Sequence, residues 1–343
     1  MSPMEAVQGD RYCVLGRLGA GLGAYCAENS VDLDRFLTVV DLLREDFEPV
    51  DAYVSLRRFA ILLEQLALHS GDDCFALHYA QGLPRGVTGH FGFGMVSAPT
   101  LRAAVTFSMR YLPLVVDTAN LGSTDDGTDF VLSWSYSPLV VEREQCSDIF
   151  TLSYLSRLYT IAGTDDIVRE VHLERRPPDN EREHRQVFRT NVVFNQPMNA
   201  FVLDSRALDL VSQSADVELH RHSTAECERR IGLRTVETSF DIRVQEVLLE
   251  GLQDGLMDIV TAARRLALSP RSLQRRLNES GTNFSDVLEG VRREAAMRYI
   301  RDTDRSFSEV AYLLGFSAPS AFTRAATRWF GAAPSALRKA RDT

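Results

Sequence analysis

The chain has 343 residues, of which 45% are hydrophobic and 25% are charged, and its formal net charge is −9. This composition excludes a fibrous or disordered protein, and the length suffices for two domains that each bury a core of good size. The sequence contains no run of about eighteen apolar residues and no secretory signal pattern at its N-terminus, so we expect a cytoplasmic protein with no membrane contact.

The charge divides unevenly along the chain. Residues 241–343 contain 16 Lys and Arg and 13 Asp and Glu, a net charge of +3, which leaves a net charge of −12 for residues 1–240. The basic segment is therefore where contacts to nucleic-acid phosphates are expected. The five cysteines are widely scattered and lack a CxxC pair. They indicate neither a disulfide framework nor a metal site, and we expect no cofactor.

The N-terminal part of the chain begins with helical patterns. Apolar residues recur at helical spacing in three segments, residues 15–27, 33–43 and 53–69. The glycine-rich residues 82–94 predict a loop or an irregular extended segment. A further helix is expected to begin after Ser97, its N-cap, and to end near Leu112.

After Leu114 the pattern changes to an alternation of apolar and polar residues. Residues 114–122 and 128–136 predict two antiparallel strands joined by a turn. A helix is expected from about Arg143 to Tyr159. Three short strands are expected beyond this helix, at residues 168–173, 192–194 and 201–203.

Two polar segments lie in the same part of the chain. Residues 175–183 predict a loop, and residues 212–230 predict either a surface helix or the connector between two domains. Residues 1–235 are therefore expected to form an α+β domain in which helices and strands are segregated. The pattern in residues 236–343 is entirely helical, which predicts a second, all-α domain.

Residues 258–281 have the pattern of two short helices that meet at a tight turn. Ser269 is the expected N-cap of the second helix, and Pro270 fills its first position. Leu273 and Leu277 are expected to face inward, which leaves an outward face of Arg271, Gln274, Arg275 and Arg276. Arg and Gln offer paired groups that match guanine and adenine edges in the major groove. The alternative interpretation is a helix face that is merely solvated.

A second segment of the same design occupies residues 306–331, offset by 48 to 50 residues from the first. Ser306 and Glu309 are spaced as a capping box, and Ser317 is the expected N-cap of the second helix. The residues expected to be buried are Phe322, Ala325, Ala326 and Trp329. Those expected to face outward are Ser320, Thr323 and Arg324. Because a repeated helix-turn-helix is a sharper signal than a single one, the repeat favours a DNA-reading function over a solvated face.

One helix is expected to join the two units. Residues 284–302 predict a helix of about nineteen residues, roughly 28 Å long at 1.5 Å per residue. A rod of this length can hold two recognition helices about one DNA turn apart, so that both enter successive major grooves.

The double unit resembles the DNA-binding domain of the AraC/XylS family of bacterial transcriptional regulators. The resemblance covers residues 245–339 and rests on LSPRSLQRRL, VRREAAMRYI and the segment from IRDTDRSFSEVAYLLGF to FGAAPSALR. It implies that the outward residues of both recognition helices contact bases and phosphates. Family members often have longer polar side chains at the positions of Pro319 and Ala321, so we expect the first unit to supply more base discrimination than the second.

The first domain resembles the arabinose-binding-like domain of the same family, in the branch of the ornithine-utilisation regulators. The resemblance rests on residues 83–115 and 192–208. It implies an effector-binding and dimerisation domain in residues 1–235, followed by the DNA-binding domain in residues 236–343. The partners that it implies are double-stranded promoter DNA, RNA polymerase, a second copy of the chain and a small-molecule effector, a carboxylate or an apolar metabolite.

Four residues are candidates for effector binding because they lie on elements that are expected to pack together: Arg110, Tyr111, Trp134 and Tyr136. An apolar pocket with one charged anchor is what a small carboxylate requires. The alternative interpretation is that the aromatic residues belong to the core and that Arg110 is solvated.

Two other functions are consistent with the same sequence. One is a ligand-independent regulator whose first domain only dimerises. The other is an enzyme with a DNA-targeting module, for which the carboxylate pairs Asp125–Asp126 and Asp165–Asp166 are the nearest catalytic candidates. Both pairs lie in turn-like sequence, so we expect no enzymatic activity.

Overall fold

The computed structural model of the chain describes residues 12–84, 86–137, 139–234, 240–252, 257–303 and 305–339. Contacts divide the chain into two compact units. The first comprises Met1–Tyr136 and Glu142–Arg234, and the second comprises Ser137–Val141 and Thr235–Thr343. The domain boundary predicted at residue 235 lies outside the described residues.

The strands described in the first unit are β1 (Cys13–Leu15), β2 (Tyr53–Ser55), β3 (Ala119–Asp125), β4 (Asp129–Ser135), β5 (Val168–His172), β6 (Asn191–Val193) and β7 (Asn199–Asp204). β1 pairs with β2, and the other strands form one sheet in the order β3-β4-β7-β5-β6. All pairs are antiparallel except β5 with β6. Phe130, Leu132 and Trp134 alternate along β4 and are buried, so this face of the sheet is the core face.

The helices of the first unit are α1 (Leu22–Glu28), α2 (Leu33–Val40), α3 (Leu56–Ser70), α4 (Phe75–Gln81), α5 (Gly89–Val96), α6 (Leu101–Tyr111), α7 (Glu144–Ala162), α8 (Glu181–Phe188) and α9 (Val217–Arg234). The caps of α3 show why it has these ends. The Ser55 hydroxyl accepts the Arg58 N–H at 3.1 Å, and Gly71 ends the helix with a φ of +69°. The expected α+β class of this domain is confirmed.

The loop expected at residues 82–94 is wrong, because residues 89–96 form α5. Glycine is present here for close packing: a Cβ on Gly94 would lie 2.4 Å from Cζ of Phe107 on α6. The N-cap expected at Ser97 is also wrong, since α6 is capped by Thr100, whose hydroxyl accepts the Ala103 N–H at 3.1 Å. A glycine-rich sequence therefore marks a helix–helix contact at this point.

Other expected elements have shifted ends. Of the helix expected at residues 15–27, only the part from Leu22 onward is α-helical, and it forms α1. The helix expected at residues 53–69 begins after β2, at Leu56. The polar loop expected at 175–183 ends where α8 begins at Glu181. Of the two alternatives for residues 212–230, the helix is correct, because α9 covers most of this segment. The signals at these places were short, and long-range packing decided the outcome.

Glu64 on α3 is expected to make the stability of the first unit depend on pH. One of its carboxylate oxygens accepts the Gln145 N–H at 2.8 Å. Burial raises the pKa of Glu64 from 4.5 to about 8. The folded chain therefore keeps a proton that the unfolded chain loses, so stability falls as the pH rises from about 4.5 to about 8.

Glu64→Gln is expected to remove this loss, because the amide oxygen can still accept the Gln145 N–H and carries no charge. The free energy of unfolding of the wild type should fall relative to the variant by at most about 1.4 kcal/mol per pH unit in that window. Denaturant unfolding can be followed by Trp134 fluorescence in a Trp329→Phe background, since the chain has 2 Trp. Parallel pH profiles of wild type and variant would contradict the assignment.

All the secondary-structure elements described in the second unit are helices. Its helices are α10 (Phe240–Leu252), α11 (Ile259–Arg265), α12 (Pro270–Glu279), α13 (Phe284–Asp302), α14 (Phe307–Leu313), α15 (Pro319–Phe330) and α16 (Pro334–Lys339). The connecting helix predicted at residues 284–302 is confirmed as α13. The expected all-α class of this part is confirmed as well.

None of the helices in the described ranges has the length and apolar character that crossing a membrane requires. Within the same ranges, no group of 3 or more His, Cys, Asp and Glu side chains is placed to hold a metal ion. All five cysteines are buried, and none of them forms a disulfide.

Candidate nucleic-acid interface

The first helix-turn-helix consists of α11 and α12. The Asp258 carboxylate caps α11 by accepting the Thr261 N–H at 2.8 Å. The turn passes through Ala267, which has a φ of +54°. Ser269 then caps α12 by accepting the Ser272 N–H at 3.1 Å, and Pro270 occupies the first helical position as predicted.

The face of α12 that is directed away from the core carries the predicted recognition residues. Leu273 and Leu277 are fully buried, so their positions fix which side of α12 faces the protein. The side chains left exposed include Arg271, Gln274, Arg275 and Arg276. This arrangement brings the four residues onto one helix, and their contacts with DNA stay a prediction.

Two of these arginines have partners within the protein. The Arg275 Nε lies 3.6 Å from a carboxylate oxygen of Glu279, and both side chains are mostly exposed. Such a pair contributes little, so a DNA phosphate can replace Glu279 at low cost. The Arg276 guanidinium lies 5.3 Å from the ring centre of Phe240 on α10. Arg276 therefore packs partly across α10, whereas Arg271 and Gln274 have no such contact among the described residues.

The second helix-turn-helix consists of α14 and α15. Ser306 and Glu309 form the predicted capping box: the Ser306 hydroxyl accepts the Glu309 N–H at 3.2 Å, and the Glu309 carboxylate accepts the Ser306 N–H at 3.0 Å. Gly315 allows the turn with a φ of +66°. Phe322, Ala325 and Ala326 are buried as expected, whereas Trp329 is only half-buried.

The N-cap predicted at Ser317 is wrong. α15 begins at Pro319, and its N-cap is Ala318, whose side chain makes no capping hydrogen bond. The prolines at 270 and 319 are 49 residues apart, so the residue equivalent to Ser269 is Ala318 and not Ser317. Proline fixes the start of the helix, and the second recognition helix lacks the cap that the first one has.

The exposed residues of α15 include the predicted Ser320, Thr323 and Arg324. The Thr323 hydroxyl donates to the Pro319 carbonyl at 3.1 Å, a bond within its own helix. Arg324 is the longest of the three side chains. This composition supports the expectation that α15 reads bases less than α12 does.

Side chains on α13 hold the second helix-turn-helix, and the sequence patterns did not reveal them. Arg292 donates to the carbonyls of Leu314 and Gly315 at 3.0 Å each, and its guanidinium lies 5.0 Å from the Phe316 ring centre. One oxygen of Glu289 accepts from Arg328 at 2.8 Å and from Trp329 at 2.7 Å on α15. These bonds fix α14 and α15 on the connecting helix.

The candidate effector residues lie in two places: Arg110 and Tyr111 beside Glu228, and Trp134 and Tyr136 in the core. Arg110 is exposed, and it donates to one oxygen of Glu228 at 2.8 Å. Tyr111 donates to the other oxygen of Glu228 at 2.6 Å. Tyr136 is buried and donates to the Cys146 carbonyl at 3.4 Å.

Trp134 is the one candidate of the four that lines the apolar cavity between the sheet and α7. The charged residue at that cavity is Arg157 on α7, which no sequence pattern predicted as an effector residue. Its only sequence signal is a lone arginine within a long apolar helix.

Two helix-turn-helix units that expose arginine-rich faces, in a chain that also contains an α+β domain, define a DNA-binding transcription regulator. Residues 31–211 match the family described as the arabinose-binding domain of the AraC transcription regulator, and residues 262–340 match a helix-turn-helix domain family. The chain belongs to the AraC family, and the resemblance in its sequence is confirmed.

Several proteins of this type are similar to the chain over most of its length. An ornithine utilization regulator of Pseudomonas aeruginosa is 29% identical over 79% of this chain and 80% of its own. The transcriptional regulator VirS of Mycobacterium tuberculosis is 26% identical over 84% of this chain and 85% of its own. The crystal structure of the regulator CdpR from Pseudomonas aeruginosa covers 90% of this chain and 96% of its own, with 21% identity and a TM-score of 0.44.

Proposed function

We propose that this regulator reads promoter DNA by placing α12 and α15 in successive major grooves. The observation that carries the proposal is that both helices bury apolar residues on one side and leave the predicted positions exposed on the other. In this arrangement Arg271, Gln274 and Arg275 contact base edges, and Arg276 contacts phosphate at the edge of the site. Ser320, Thr323 and Arg324 contact mainly the DNA backbone.

The proposal gives the two parts of the chain separate roles. Residues 1–235 bind a small-molecule effector and dimerise, and residues 236–343 bind DNA. Effector binding shifts the population between states that differ in operator affinity or in contact with RNA polymerase, and the protein acts as an activator in the cytoplasm. It has no enzymatic role in this proposal, which its relatives support because they are transcription regulators.

The name of one relative points to ornithine, but the chemistry of the cavity favours a different effector. Ornithine carries two amino groups that are cationic at neutral pH, so a site for it needs carboxylates. The residues that line the apolar cavity include Arg157 and no Asp or Glu. We therefore propose an anionic effector for this chain.

Arg271→Ala tests the assignment of the first recognition helix. Binding to DNA that the wild type selects from a random library should weaken by about 1–3 kcal/mol, because a bidentate contact to guanine is lost. Fluorescence anisotropy at one fixed salt concentration measures the change. The selected sequences should also show a better-defined half-site for α12 than for α15.

Arg206→Ala is the matched control, since it removes the same charge from an exposed position in the first unit. It should leave the affinity for the selected DNA unchanged. If Arg271→Ala bound selected and scrambled DNA just as the wild type does, α12 would not be the reading helix.

A further inference from the structure

The first unit contains an apolar cavity of about 40 Å³. Aromatic side chains from several elements line it, including Phe91 of α5, Trp134 of β4, Phe150 of α7 and Phe201 of β7. At about 10–15 Å³ per water, this space corresponds to about three water molecules, or to a short hydrocarbon chain. The apolar lining favours the hydrocarbon.

A polar cluster around Arg157 also lines the cavity. Arg157 of α7 lines it and has 8% of its surface exposed. Its Nη2 donates to the Thr88 hydroxyl at 2.8 Å, and its Nη1 donates to the Ser153 carbonyl. Its Nε is buried and has no hydrogen-bond partner. The guanidinium therefore has a donor that meets no acceptor among the described residues.

Arg157 also lacks a counter-charge within the described part of the chain, where no salt bridge to it is formed. The pKa of Arg157 is lowered to about 10, because the effect of burial outweighs the opposite effect of the nearby Tyr154. The group is still charged at neutral pH. A buried cation without an anion is unfavourable, so an anionic ligand that reached it would gain both the charge interaction and the free Nε–H.

A groove at the protein surface also borders Arg157. A groove of about 900 Å³ is lined by residues from α4, α7 and the segments that flank them, and Ser153 and Arg157 line both the groove and the cavity. The other arginine in the groove, Arg189, is already paired with Asp165 at 3.1 Å. An anion that enters the groove thus meets one cation that lacks a carboxylate partner.

We propose that the first unit binds a short apolar monocarboxylic acid, with its carboxylate on the Arg157 guanidinium and its hydrocarbon chain in the aromatic cavity. The Thr88 hydroxyl, which also lines the cavity, accepts from Nη2 and holds the guanidinium in place. The inference rests on the proposed role of this domain as an effector sensor, and it names the site and the chemical class of the effector.

Isothermal titration calorimetry of the full-length protein with butyrate, hexanoate and octanoate tests the site. The neutral counterpart of hexanoate is 1-hexanol. At least one of the acids should bind, and 1-hexanol should bind about 10- to 100-fold more weakly than hexanoate, because it lacks the charge-assisted hydrogen bonds. Arg157→Met should weaken acid binding to the level of the alcohol and should leave the alcohol unchanged. Arg189→Met, in the same groove, should leave acid binding unchanged.

Three results would overturn the site: no binding by any of the acids, equal binding of hexanoate and 1-hexanol, or unchanged acid binding in Arg157→Met. The regulatory role has a separate measurement, the affinity for selected DNA with and without the acid. If the acid bound at Arg157 but left DNA affinity and transcription unchanged, the site would stand and the effector role would fail. If no acid bound while the wild type still read its DNA, only the site would fail.

Discussion

Asp148→Ala is expected to destabilise the first unit by about 3–5 kcal/mol, because it leaves two buried partners without their anion. Asp148 on α7 is completely buried. It accepts a hydrogen bond from Arg175, which follows β5, and one from the His184 Nε2 on α8 at 2.9 Å. Arg175 is 2% exposed and His184 is fully buried, so water cannot replace the lost carboxylate.

The other bonds of the cluster cannot take over the role of Asp148. Arg175 also donates to the Asp73 carbonyl at 3.2 Å and lies 3.5 Å from the Asp73 carboxylate, which is half exposed. The His184 Nδ1 faces only the Cys74 sulfur, at 3.8 Å. The carboxylate of Asp148 therefore joins α7, α8 and the segment after β5, and its removal affects all three elements.

Denaturant unfolding of the full chain measures this effect, with Trp134 as the remaining tryptophan in a Trp329→Phe background. Asp209→Asn is the control: Asp209 pairs with Arg102 at 3.0 Å, but the side chains are 74% and 51% exposed. The control should change stability by about 0–1 kcal/mol. A loss in Asp148→Ala no larger than that of the control would show that the cluster does not hold the three elements together.

The second unit was largely predictable because its signals are local. Ser269 with Pro270 and the capping box at Ser306 each lie within about one helical turn, and each is found where it was expected. The helix expected at residues 284–302 is one continuous segment and is also found there. The error at Ser317 arose from one inserted residue, since proline determines the helix start more strongly than serine does.

The first unit was less predictable because its determinants are far apart in the sequence. Asp148, Arg175 and His184 come from separate elements, and no spacing pattern links them. Gly94 looked like a loop residue because its partner, Phe107, lies on another helix. The arginine chosen as a possible anchor, Arg110, is on the surface, whereas Arg157 lies in a helix that is buried on nearly all sides and that gives little amphipathic signal.

Phe322→Ala is expected to disable the second helix-turn-helix while the first one still binds. Phe322 is fully buried, and its ring centre lies 5.8 Å from that of Phe316 in the turn before α15. Phe316 in turn contacts the Arg292 guanidinium and, with ring centres 6.1 Å apart, Trp329. Removing the Phe322 ring should destabilise the second helix-turn-helix by about 3–5 kcal/mol, because the substitution leaves a void at the centre of this cluster.

The consequence for DNA binding is a loss of the preference for a complete site. The wild type should bind a site with both half-sites more tightly than one that keeps only the α12 half, and Phe322→Ala should bind the two equally. The slope of log affinity against log salt on the complete site should also become shallower, because the phosphate contacts of α15 are lost. Tyr312→Ala removes an aromatic ring from an exposed position on α14 of the same unit, and it should keep the preference for the complete site.

The two halves of this expectation can fail separately. Trp329 fluorescence in a Trp134→Phe background reports whether α15 has lost its packing, since the indole hydrogen-bonds to Glu289 on α13. If Phe322→Ala lost this packing and also lost binding to the α12 half-site, the two helix-turn-helix units would fold as one cooperative structure. If it lost the packing but kept the preference for the complete site, α15 would not be the helix that reads the second half-site, and another part of the chain would have to read it.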